Sequence, residues 1–175
     1  MPELGRDLLE LARAAIEGRT ARPAASAALT GPGATFVTLT RGGKLRGCIG
    51  SLEPWRPLAE DVRSNARAAA FRDPRFPPLD PEEFADTHIG VSLLGPSEPL
   101  DVQSEADAVA QLRPGVDGVI VRAGSRRATF LPQVWRELPD PHQFLDGLWA
   151  KAGLRPGTWG PDVQLWRYTV EEWSE

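Results

Sequence analysis

The chain has one cysteine, two histidines, one methionine and one tyrosine in 175 residues. A single cysteine cannot close an internal disulfide and cannot build a cysteine-rich metal site. With only His88 and His142 present, a histidine-rich zinc site is not expected either, and no metal is assigned. No apolar run approaches the ~18 residues that span a bilayer, so no membrane insertion is expected. The start lacks a basic region followed by an apolar stretch, so it does not read as a secretory leader. These absences point to the cytoplasm. There is no Walker loop, since G-x-x-x-x-G-K is missing, and no G-x-G-x-x-G dinucleotide fingerprint. No cofactor is expected.

What is present is ordinary for a globular protein: 41% hydrophobic and 25% charged residues, with a net charge of −4. The negative balance argues against general nucleic-acid binding. The charge is uneven, however. Between Arg41 and Arg75 stand eight Lys/Arg against four Asp/Glu, a local +4 that leaves −8 for the rest. Such asymmetry can focus a small anionic ligand on the central segment or can simply line solvated helix faces.

Leu4, Leu8, Leu11, Ala12, Ala15 and Ile16 recur at helical spacing, with Gly18 as the stop. Arg19 to Gly33 reads as a connection. Phe36–Thr40 and Lys44–Ile49 are strand-like and are separated by Gly42-Gly43, which predicts a two-residue hairpin. With that turn, Arg41 faces Lys44, Leu39 faces Arg46 and Val37 faces Cys48. Arg46 and Cys48 then share one face. Leu45, Gly47 and Ile49 share the other with Phe36 and Thr38, so a charge placed at Gly47 would meet Phe36 and Ile49.

Further on, Leu58, Val62, Ala66, Ala69 and Ala70 form a small-residue stripe that permits close helix packing. Asp80-Pro81, Ser104 and Asp140-Pro141 read as helix starts. Ile89, Val91 and Leu93 alternate as a strand. Val116–Arg122 and Arg127–Leu131 flank a second turn at Ala123-Gly124-Ser125. A short helix is expected from Pro132, and another carries Phe144, Leu145, Leu148 and Trp149. One final strand covers Val163 to Val170. Five or six strands with about five helices, joined mostly by hairpins, predict an α+β fold with mainly antiparallel sheet.

The candidate chemistry centres on Lys44-Leu45-Arg46-Gly47-Cys48-Ile49-Gly50-Ser51. Cys48 can be read as a catalytic nucleophile whose thiolate Arg46 would favour, with His88 or His142 the available bases. It can equally be read as a packed small residue. Lys44, Arg46, Gly47 and Gly50 can be read as an anion-binding strand, since glycines let a ligand approach backbone amides. The competing reading is a bulge or close packing contact at the glycines. Glu53, Glu60, Asp61, Asp73 and Asp117 read as caps or surface charges, and the six tryptophans as core or interface residues.

Leu45-Arg46-Gly47-Cys48-Ile49-Gly50 resembles the signature of the AMMECR-domain family. Three further segments agree in order and spacing. They are Ala68-Ala69-Ala70-Phe71-Arg72-Asp73-Pro74-Arg75-Phe76, the strand Ile89-Gly90-Val91-Ser92-Leu93-Leu94, and a C-terminal group. That group holds Gly115–Val121, Thr129–Trp135, Phe144-Leu145 and Lys151–Leu154. Gly90 departs from the acidic residue the family pattern would place before Val-Ser. The likeness implies a single domain over 1–175, with two lobes and a cleft between them, and the smaller lobe within 55–100. It also implies an intracellular component acting beside a Memo-like protein, related to extradiol dioxygenases, and a radical SAM protein. The family resemblance carries over no reaction. The alternatives are a stand-alone enzyme using Cys48 with Arg46 on an anionic substrate, and a regulatory or nucleic-acid-linked interaction module.

Overall fold

A computed structural model describes residues 2–23 and 26–175. Two positions of the expected connection after the first helix, 24 and 25, lie outside the described residues. The chain forms two compact units. One comprises Met1–Leu94 with Glu171–Glu175, the other Gly95–Val170.

In the first unit, helix α1 (Pro2–Glu17) and helix α3 (Leu58–Phe71) pack on one face of a four-stranded sheet. The sheet order is β2-β1-β3-β8, with β1 Thr35–Arg41, β2 Lys44–Gly50, β3 Thr87–Leu94 and β8 Val170–Ser174. The predicted stripe of α3 is the packed one. Leu58, Val62, Ala66, Ala69 and Ala70 are all buried. They meet Val37, Leu39, Ile89 and Val91 from alternate positions of β1 and β3, together with Leu8 and Leu11 of α1. A short helix α2 (Ala27–Thr30), capped by the Ser26 side chain, interrupts the segment expected to be a plain connection. A 3₁₀ turn at Pro81–Asp86 begins at Asp80, whose carboxylate accepts the Glu82 amide as the cap reading requires.

The hairpin turn is at Gly42-Gly43. Both glycines have positive φ, 59° and 76°, the conformation a two-residue turn demands and side chains resist. The register beyond the turn differs from simple alternation. Arg41 pairs with Lys44 and Thr40 with Leu45, but Leu39 then pairs with Gly47, Thr38 with Cys48 and Val37 with Ile49. A β-bulge at Arg46 inserts one extra residue and reverses the facing of everything beyond it. Gly47 and Ile49 therefore share the helix-covered face with Val37 and Leu39. Cys48 and Gly50 share the other with Thr38 and Phe36. The expected common face for Arg46 and Cys48 is corrected by this bulge.

In the second unit the sheet order is β4-β7-β5-β6 (Glu98–Leu100, Val163–Tyr168, Gly118–Ala123, Arg126–Phe130). Helices α4 (Glu105–Gln111) and α5 (Pro141–Lys151) and a 3₁₀ turn at Pro132–Arg136 accompany it. Val119, Val121 and Leu165 pack against Phe144, Leu148, Trp149 and Trp135. Trp135 stacks on Phe144 with ring centroids 3.8 Å apart. Caps at Ser104 and Asp140 accept the amides of Asp107 and His142, as their sequence context predicts.

The α+β prediction with mainly antiparallel sheet holds. The strand count does not: eight strands are present among the described residues. Two causes account for this. Glu98–Leu100 is a three-residue strand with a proline, Pro99, at its centre. The expected final strand is also two strands, β7 in one sheet and β8 in the other, separated at Thr169.

Candidate functional site

The segment 44–51 runs along an edge strand, since β2 has a neighbour only in β1. An edge exposes backbone donors and acceptors that must be satisfied or shielded. At Cys48 they are satisfied by the loop after α3. The Cys48 amide donates to Asp73 Oδ2 at 3.0 Å, and Arg75 Nη2 donates to the Cys48 carbonyl at 3.3 Å. Arg75 also holds Asp73 through two guanidinium bonds, Nε to Oδ1 at 3.0 Å and Nη2 to Oδ2 at 2.7 Å. One carboxylate and one guanidinium thus replace the donor and acceptor of a missing strand. The Arg75 hydrogen bonds, with help from the Cys48 and Arg75 amides, hold the Asp73 carboxyl well below the usual range against the opposing effect of burial. The Arg75 guanidinium is correspondingly raised, chiefly by Asp73. Two blocks that resemble family motifs, Arg46-Gly47-Cys48 and Asp73-Pro74-Arg75, are physically one clasp.

Cys48 Sγ lies 3.4 Å from Thr38 Oγ1 on the face that α1 and α3 leave uncovered. Thr38 pairs in turn with Gly90 of β3. His88 therefore sits two strands over and two residues further along, about 10 Å or more from Cys48 at the backbone. At that separation His88 does not form the thiol–base pair that the nucleophile reading seeks. His142 belongs to α5, where Nδ1 lies 3.7 Å from Glu105 Oε1.

The bulge sends Arg46 elsewhere. Its Nη2 donates to Glu83 Oε2 at 3.0 Å, and the guanidinium carbon lies 5.9 Å from the centre of the Phe76 ring. The side chain is only 12% exposed, and Nη1 is buried without an acceptor among the described residues. Glu83 also lies 3.6 Å from Arg41. Lys44 is exposed beside the turn.

Both glycines of the segment are packing positions. A Cβ on Gly47 would lie 2.2 Å from the Ala69 carbonyl oxygen of α3. A Cβ on Gly50 would lie 2.2 Å from the Phe36 ring. The obstacle at Gly47 is helix backbone rather than the Phe36 and Ile49 side chains expected from simple alternation. Gly90, by contrast, has room: a Cβ there meets nothing closer than 3.8 Å.

A second polar centre lies under the Ser51–Pro57 loop and escaped the sequence reading. Asp61, in the first turn of α3, is fully buried. It accepts from Thr35 N and Oγ1 at 2.8 and 2.7 Å, Ser51 Oγ at 2.6 Å, Arg56 Nε at 2.8 Å and Asn65 Nδ2 at 3.0 Å. Asn65 also donates to the Thr35 carbonyl, and Arg56 reaches Asn65 Oδ1. Asp117 in the second unit is buried in the same manner against Arg113, with Nη2 to Oδ1 at 2.7 Å. Asp61, Asp73 and Asp117 were expected as caps or surface charges. Each is instead a buried carboxylate paired with an arginine. The available signal was an arginine at short spacing from each: Arg56, Arg75 and Arg113.

Among the described residues, no group of three His, Cys, Asp or Glu side chains is placed to hold a metal ion. No helix among them is long and apolar enough to cross a membrane.

The architecture is an α+β protein with two four-stranded sheets. The AMMECR1 family model matches residues 9–173, and the chain belongs to that family. A protein from Methanothermobacter thermautotrophicus is 45% identical over 142 residues, covering 80% of this chain and 74% of the relative. One from Thermococcus gammatolerans is 39% identical and covers 99% of this chain and 91% of its own. The solved structure of the uncharacterized protein PH0010 from Pyrococcus horikoshii superimposes with a TM-score of 0.91 at 35% identity. That match covers 99% of this chain and 92% of the other.

Proposed function

We propose that this AMMECR1-family protein is an accessory or substrate-binding component of an assembly rather than a self-contained catalyst. Its partners in this reading are a Memo-like protein and a radical SAM protein, and its setting is the cytoplasm. The observation that carries the reading is how the charged groups around Cys48 are used. Arg46 is engaged by Glu83, and Asp73 by Arg75 and the Cys48 amide. Groups so committed shape a surface more readily than they activate a nucleophile. Of the residues assigned to a small anionic ligand, Lys44 is the exposed cation, while Arg46, Gly47 and Gly50 form the strand beside it.

The experiment is reconstitution. The full chain is mixed at micromolar concentration with the Memo-like and radical SAM proteins encoded in the same genome. Light scattering on a sizing column then reads the mass. A complex with at least one of them is the expected result. Separate elution of all three would overturn the assembly reading. Turnover of a candidate substrate by the isolated chain, abolished in Cys48→Ser, would favour the enzyme reading instead.

A further inference from the structure

Among the described residues the two sheets present four edge strands, β2 and β8 in one and β4 and β6 in the other. An open edge offers its backbone groups to another chain. Three of these edges are blunted. β2 carries the Asp73–Arg75 clasp at Cys48. β6 has its Thr129 carbonyl taken by Lys151. β4 is short, and Pro99 at its centre has no N–H to donate. The remaining edge, β8, has five residues with neither proline nor glycine.

Hydrogen bonds at the two ends of β8 set its register against β3. Gly95 N donates to the Thr169 carbonyl at 2.8 Å, and Glu175 N to the Ile89 carbonyl at 3.1 Å. Residues 169, 171, 173 and 175 therefore turn their backbone groups inward to β3. Those of Val170, Glu172 and Ser174 point outward, and no loop or side chain among the described residues bonds them. The strand is fixed from within. The Trp173 ring fills the notch at Gly5 of α1, where a Cβ would lie 2.3 Å from it, and Arg13 Nε donates to the Glu175 carboxylate at 3.0 Å. An edge ordered before a partner arrives loses little freedom on docking.

We infer that β8 is a docking edge for an extended segment of a partner protein, rich in lysine or arginine, that adds to the sheet as a fifth strand. The local charge selects the occupant. Glu171 and Glu172 are both exposed, and neither has an ion-pair partner among the described residues. Glu3 and Arg6, the charged neighbours of Gly5 on α1, cancel each other, and Arg13 is neutralised by Glu175. Two negative charges are left on one short strand. They oppose the phosphates of nucleic acid and of anionic lipid. They also oppose a second copy of this chain, because antiparallel pairing centred on the strand sets Glu172 directly against Glu172. A strand with cations at alternate positions meets both acids, while backbone bonds to the three outward residues supply affinity. This surface goes beyond the assembly reading, and its test needs neither of the partners named there.

The test uses the isotope-labelled full-length protein and two short peptides, one alternating Lys with Thr and the other Glu with Thr. Amide hydrogen exchange is read residue by residue. The Lys–Thr peptide at millimolar concentration should slow exchange at Val170, Glu172 and Ser174 by about 10-fold, with Glu171 and Trp173 unchanged. Glu172→Pro removes an outward N–H that β3 does not use, so it should abolish this protection at a melting temperature close to wild type. Glu172→Lys keeps every backbone group and should weaken the Lys–Thr peptide by about 5-fold. That variant decides the matter even if the proline variant fails to fold. Absence of protection by the Lys–Thr peptide, equal protection by both peptides, or wild-type affinity in Glu172→Lys would overturn the docking edge and leave the assembly reading to its own reconstitution. A dimer of the wild type that is lost in Glu172→Lys would replace the partner by a second copy and overturn the assignment as well.

Discussion

Asp73 accepts the backbone amide of Cys48 across the free edge of β2, at 3.0 Å, while Arg75 returns a bond to the Cys48 carbonyl. The side chains of one loop thereby do for the edge strand what a fifth strand would do, without offering a further edge to another chain. The second sheet uses a related device, since Lys151 Nζ donates to the Thr129 carbonyl of its edge strand at 2.9 Å. In both cases a long cation reaches a strand carbonyl from the loop or helix beside it.

The clasp makes stability depend on pH in a defined window. Asp73 is depressed in the folded protein and ordinary in the unfolded chain, near about 4. Its contribution is whole above the unfolded pKa and is lost as pH falls toward the folded one. Asp73→Asn keeps an acceptor for the Cys48 amide but loses the charge, and should cost roughly 2 kcal/mol at neutral pH. Chemical denaturation from pH 7 to pH 2 should show the gap between the two proteins narrowing below about pH 4. A gap that stays constant to pH 2 would refute the assignment.

The two glycines beside Cys48 make different predictions because their obstacles differ. Gly47→Ala presses on the Ala69 carbonyl, which α3 cannot withdraw. It should cost roughly 3 kcal/mol and lower the melting temperature by about 10 °C. Gly50→Ala presses on the Phe36 ring, which can be trimmed. Phe36→Ala should therefore recover part of the loss caused by Gly50→Ala, giving a coupling energy of about 1 kcal/mol or more in a double-mutant cycle. The same Phe36→Ala change should do nothing for Gly47→Ala. Equal rescue of both would show that the register at the bulge is not as described.

Much of this fold was legible in local chemistry. The positive φ of Gly42 and Gly43, the caps at Asp80, Ser104 and Asp140, and the stripe from Leu58 to Ala70 all follow from residues close in sequence. What was not legible depends on distant partners. The bulge at Arg46 becomes visible only once Gly47 is seen against Ala69 and Arg46 against Glu83. Val170 continues a strand pattern without a glycine or proline, so the passage into a second sheet leaves no mark. Asp61 looks like an ordinary acid in a first helical turn. Its burial is the work of Thr35, Ser51 and Arg56, which come from separate segments.

That buried centre has its own prediction. Asp61→Ala strands five donors at once, among them the Arg56 guanidinium. It should destabilise the protein by roughly 3–5 kcal/mol. Asp61→Asn, which still accepts, should lose less. Because Arg56 fixes the loop below Trp55, amide hydrogen exchange at 51–57 should accelerate in both variants beyond what global unfolding explains. Exchange in the loop that matches wild type would detach the loop from Asp61.

Arg46 and Glu83 should respond unequally to removal. Arg46 carries a buried Nη1 with no acceptor among the described residues, so part of its charge is poorly compensated. Replacing it with methionine, which fills a similar volume, should change stability by less than about 1 kcal/mol. Glu83→Gln instead leaves the guanidinium buried beside Phe76 with its charge partner gone. That variant should lose roughly 2 kcal/mol or more. Urea unfolding of the two single variants and the double variant reads the asymmetry, with the double expected near Arg46→Met. A loss on Arg46→Met as large as that on Glu83→Gln would show the pair to be a net source of stability. If the asymmetry holds, Arg46→Met is a folded protein that lacks the charge. Phosphate titration of that variant against wild type then asks directly whether Arg46 has a ligand-binding role beyond its ion pair. Unchanged phosphate affinity would assign the anion-binding role, if any, to Lys44.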